Sequence, residues 1–150
     1  MRGTLVKATG GCAPFSRRVE GSMTLHAPPP DWLIRLAVAA VWLYEGVWCK
    51  LLGREPNQLR IVDSAPLRGP LSGAAFLRTL GLLELGVGLW ALSGGAPVAC
   101  AVAQTLLLAS LNAGGLLWAR GLIHDPPGML VKNLSFLVLV WVCAALPPWS

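Results

Sequence analysis

The chain has 150 residues, of which 55% are hydrophobic and only 13% charged, and its mean hydropathy is +0.62. A water-soluble domain carries roughly 25% charged residues, so the composition argues against an ordinary soluble enzyme and for lipid as the solvent. The basic residues behind the net charge of +5 cluster mainly outside the apolar runs, a pattern that fits orientation in a membrane and not a nucleic-acid partner.

Residues 1–31 read as a polar leader ending in "HAPPPD", with Arg2, Lys7, Arg17 and Arg18 against a single Glu20. The leader lacks the apolar core of a secretory signal. Two readings stand: a weak organelle transit peptide, or an upstream extension of a chain whose translation starts at Met23. Either way the segment is expected to be disordered.

Four apolar runs follow: Trp32 to about Leu52, about Leu71 to Leu92, about Pro97 to Trp118, and about Pro127 to Leu146. Each is about 20 residues, or about 30 Å as a helix, which matches the hydrocarbon core of a bilayer. Within lipid the backbone must satisfy its own hydrogen bonds, so helices are predicted for all four. The expected fold class is all-α: an integral membrane four-helix bundle with antiparallel neighbours. "SGGAP" and "HDPPG" interrupt the runs as turns. Trp32, Trp48, Trp90, Trp118 and Trp149 stand near run ends, where an interfacial aromatic belt would place them.

The long connection, Leu52 to Leu71, joins the first two helices. Pro56 is positioned to open a short helix carrying Leu59 and Val62 on one side. Such a helix would lie along the membrane surface as a lid, and an irregular solvated loop is the alternative. Lys50, Arg54, Arg60, Arg68 and Arg120 share the side of the first and third connections. The positive-inside rule makes that side cytoplasmic and both termini external. The expected location is a bacterial inner (plasma) membrane, crossed several times.

At about 1.5 Å per residue, Glu45, Arg78, Asn112, Lys132 and Asn133 fall at one level, about 10 Å in from the connection side. Glu84 lies deeper, about 20 Å in, and the terminal half is almost wholly apolar. These six residues are the candidate polar pocket. On an α-helix Glu45 and Lys50 point apart, so Lys50 is expected to snorkel outward and Glu45 to pair with Arg78 or Lys132. Gly81, Glu84 and Gly88 share a face, as do Thr105, Ala109, Asn112 and Gly115; small-residue stripes admit close backbone approach. An acidic residue at mid-helix costs roughly 2.5–3.5 kcal/mol on insertion scales. The pocket reading therefore competes with one in which these groups only bond the helices together.

Cys12, Cys49, Cys100 and Cys143 are well separated and form neither a CxxC redox pair nor a zinc knuckle. His26 and His124 both lie outside the apolar runs, which argues against a haem held between two intramembrane histidines. Neither metal nor haem is expected. Cys49 beside Lys50 has the setting of a more acidic thiol, but packing is its ordinary role.

Several stretches together resemble the DoxX-like family of small four-helix membrane proteins. They are "RLAVAAVWLYEGVWCKLLG" (Arg35 to Gly53), "LGLLELGVGLWALSG" (Leu80 to Gly94), "LLASLNAGGLL" (Leu107 to Leu117) and "DPPGMLVKNLSFLVL" (Asp125 to Leu139). The resemblance covers residues 32–146, and Gly46 with Lys50 is similar to the family's usual glycine and lysine near the end of the first helix. It implies links to thiosulfate:quinone oxidoreductases and to complexes that defend against oxidative stress. The expected role is a non-catalytic membrane subunit of such a system, offering a quinone or lipid site to a soluble partner. Its partners would be the lipid bilayer, a soluble or membrane oxidoreductase, and further copies of itself. Two alternatives stay open: a small-molecule carrier coupled to protons through Glu84, and a scaffold that presents the long connection to partners.

Overall fold

Prolines open three of the helices. Pro56, Pro97 and Pro126 each occupy a first turn, where the missing N–H has no intrahelical acceptor to lose. In the computed structural model, which describes residues 29–66 and 72–147, α1 (Asp31–Leu43) runs directly into a π-helical segment (Tyr44–Leu51). After it come α2 (Pro56–Ser64), α3 (Gly73–Ser93), α4 (Pro97–Trp118), a 3-10 turn (Arg120–Leu122) and α5 (Pro126–Ala144). The leader expected over residues 1–31 falls almost wholly outside the described residues, as do Arg68 and Trp149.

Local chemistry sets the boundaries. Ser72 caps α3 by accepting the Ala75 N–H at 3.3 Å, and Asp125 caps α5 by accepting the Gly128 N–H at 3.0 Å. The α3 helix ends at Gly94, whose φ of 68° is a left-handed turn that glycine adopts without steric cost.

Among the described residues four helical stretches are long and apolar enough to cross a membrane: Asp31–Leu51, Gly73–Ser93, Pro97–Trp118 and Pro126–Ala144. They pack in a ring, α1 on α3, α3 on α4, α4 on α5 and α5 back on α1. Their outer faces carry exposed leucines and valines, among them Leu82, Leu106, Leu117, Val131 and Leu134. So large an apolar surface is stable only against lipid. Trp32, Trp48, Trp90 and Trp118 are exposed near the span ends.

The dry core lies toward the terminal side and includes Val38, Trp42, Ala101, Leu108 and Val140. Two polar side chains, Arg35 and Gln104, are buried in that half, which is expected to be almost wholly apolar. Arg35 is only 1% exposed, and its Nη2 donates to the Pro147 carbonyl at 2.8 Å, tying the start of α1 to the end of the chain. Gln104 is buried too, its Oε1 accepting the Trp42 indole N–H at 2.7 Å. Free thiols Cys100 and Cys143 belong to the same core.

The contact of the π-helical segment with α3 depends on glycine. A Cβ at Gly46 would sit 2.7 Å from the Gly81 carbonyl oxygen, and one at Gly81 would sit 2.8 Å from that of Gly46. Neither carbonyl can move without breaking its helix. Gly81→Val is therefore expected to lower stability by about 1–3 kcal/mol through overpacking, seen as a lower melting midpoint in detergent. Gly86 has open space at its Cβ position, and Gly86→Ala should leave that midpoint unchanged or raise it.

Candidate functional site

The π-helical segment decides the geometry. Its backbone bonds skip five residues, as where the Leu52 N–H donates to the Val47 carbonyl at 2.9 Å. Wider turns bring side chains five apart toward one face, whereas on an α-helix they diverge. Glu45 and Lys50 consequently meet: Lys50 Nζ lies 3.3 Å from Glu45 Oε2 and 3.5 Å from the Glu45 carbonyl oxygen. The expectation that Lys50 snorkels outward is corrected here. Lys50 is buried and its stem folds back into the protein.

Its strongest contact is across the interface. Lys50 Nζ stands 2.8 Å from Glu84 Oε2, and the Glu84 side chain is 1% exposed. Packing of Gly46 on Gly81 brings α3 close enough for this. Lys50, and neither Arg78 nor Lys132, is therefore the partner of both carboxylates. The second carboxylate, Glu45, is 41% exposed and also accepts from Gln58 Nε2 at 3.0 Å.

Gln58 belongs to α2, which packs on α3, on α4 and on the 3-10 turn. Asn57 Nδ2 donates to the Leu122 carbonyl at 3.0 Å, fastening α2 to the α4–α5 connection. The helix opened by Pro56 thus exists, but with a different inner face from the one expected. Gln58, Ile61 and Val62 turn inward, and Leu59 is exposed.

On the opposite wall, Asn133 Nδ2 donates to Asn112 Oδ1 at 2.6 Å, joining α5 to α4. Between the walls lies a cavity of about 550 Å³. Glu45, Glu84, Asn112, Lys132 and Asn133 all line it; Arg78 does not, being exposed on α3. Lys50, Gln58 and Trp42 line it as well, and sequence reasoning did not place them there. Trp42 could have been found from its position four residues beyond Val38 on a buried face. The remaining walls are apolar, with Leu80, Leu111, Met129 and Phe136 among them. Among the described residues no group of three histidine, cysteine or acidic side chains is arranged to hold a metal. The lining is thus mainly apolar, with a few polar side chains converging on it.

Comparison with curated proteins and with solved structures finds none that matches. The sequence profile of the DoxX-like family matches residues 39–141, a span that holds the Lys50 cluster, both glycines of the contact between the π-helical segment and α3, and the Asn112–Asn133 pair. The chain is a membrane protein that belongs to the DoxX-like family.

Proposed function

We propose that the protein binds a quinone in this cavity and serves as a non-catalytic membrane subunit beside an oxidoreductase, in a bacterial plasma membrane with the α2 side cytoplasmic. The observation that carries the reading is the cavity itself. Its volume of about 550 Å³ lies within the usual range for small-molecule sites, and apolar walls with a few convergent polar groups are the usual lining of such sites. A quinone ring would rest against Trp42, Leu111 and Phe136. Its carbonyl oxygens would accept from the free amide N–H groups of the Asn112–Asn133 pair and from Lys132. The quinone supplies the electron-accepting chemistry when bound; the chain supplies position and exclusion of water.

Trp42 on the cavity wall provides the readout. A short-chain ubiquinone added to the detergent-purified protein is expected to quench tryptophan fluorescence saturably, at one equivalent per chain. Leu111→Phe, which fills the cavity from α4 without adding a tryptophan, should weaken binding at least tenfold. Quenching that rises without saturation, equal in both proteins, would mean only that the quinone dissolves in the micelle, and the proposal would fall.

A further inference from the structure

We propose that the α4–α5 wall of the cavity is an anion-recognising pole, with Lys132 as its cation, and that the favoured ligand carries an ionised oxygen on its apolar ring. The inference rests on the quinone reading above and narrows it to acidic members such as hydroxyquinones.

The two walls differ in what they leave free. On the α1–α3 wall Lys50 is committed to Glu84 at 2.8 Å and to Glu45 at 3.3 Å. Gln58 is committed to Glu45. Among the described residues an incoming ligand meets no free cation there; it meets acceptor oxygens, the Glu45 and Glu84 carboxylates and the buried, unpartnered Gln58 Oε1. On the α4–α5 wall Lys132 lines the cavity and has no ion-pair or hydrogen-bond partner among the described residues. The amide pair beside it forms one hydrogen bond. Whichever amide donates, one NH2 group remains free. No acidic residue of α4 or α5 lines the cavity; Asp125 is occupied as the α5 cap.

Lys132 is itself exposed on α5, so its gain from a counter-charge starts as that of a hydrated ammonium and rises as the ligand's ring displaces water from beside it. Adjacent amide N–H groups add charge-assisted hydrogen bonds to an anionic oxygen. The carboxylates opposite repel an anion, so the ligand is held one way round: acidic oxygen toward Lys132, the rest of the ring toward α1 and α3.

The test uses two quinones in neutral phosphatidylcholine nanodiscs, read by tryptophan quenching. One is a 2-hydroxy-3-alkyl-1,4-naphthoquinone, ionised at neutral pH; the other is its 2-methoxy ether, which cannot ionise. The hydroxyl form is expected to bind about tenfold tighter. Lys132→Met should bring the two affinities together, and Lys132→Arg should keep them apart. Equal affinities in the unmodified protein, or a preference that survives Lys132→Met, overturn the inference while leaving quinone binding intact. If neither quinone binds, the quinone reading itself fails and this inference goes with it.

Discussion

Lys50→Met is expected to lower stability by about 3–5 kcal/mol, the cost of leaving a buried charge without its partner. The side chain to be stranded is Glu84, 1% exposed and 2.8 Å from the lysine ammonium. Glu45 suffers less, because it is half-exposed and keeps its bond from Gln58. Removing both buried partners should undo most of the damage, since apolar groups of similar size often replace a buried pair at little or no cost. The check is a four-protein cycle of unmodified protein, Lys50→Met, Glu84→Met and the double variant, followed by thermal unfolding in detergent. Recovery in the double variant assigns the single-variant loss to desolvated charge. Quinone titration of the same four proteins then separates a binding role from a structural one, because a cluster that serves only as glue would leave binding intact in the recovered double variant.

The sequence carries the architecture because spans are a matter of length and hydropathy. Pro97 and Trp118, proposed as the limits of the third run, are the limits of α4. The pocket was legible in level but not in phase. Glu45, Asn112, Lys132 and Asn133 fall at one depth by counting residues, and counting is insensitive to which way a side chain points. Lys50 was misplaced because the projection assumed an α-helix through Glu45. The change to i→i+5 bonding over Tyr44–Leu51 rotates Lys50 inward, and periodicity alone does not report such a change. Arg78 shares that depth yet faces outward, since the inner face of α3 is set by Gly81, Glu84 and Gly88. The burial of Arg35 is not legible locally, because one of its contacts is a backbone carbonyl more than a hundred residues away, at Pro147.

Trp42 is the other position where a large effect is expected. It is 2% exposed and sits where the dry core meets the cavity, a member of the core cluster that also forms part of the cavity lining. Its indole packs edge-on to Phe136, ring centroids 5.7 Å apart, and its N–H donates to Gln104 at 2.7 Å. Gln104 in turn donates to Cys100 Sγ at 3.2 Å, so the ring joins α1 to both α4 and α5. Trp42→Ala is expected to cost about 3–5 kcal/mol. Trp42→Phe keeps most of the packing but leaves the Gln104 carbonyl oxygen without its buried donor, and should cost about 1–3 kcal/mol. Gln104→Leu should cost a similar amount by orphaning the indole N–H instead. The combination Trp42→Phe with Gln104→Leu removes donor and acceptor together, so it should be clearly more stable than the sum of its parts predicts. Melting midpoints of these three variants and the unmodified protein decide the matter: simple additivity would show that the hydrogen bond contributes nothing and that Trp42 acts through its volume alone.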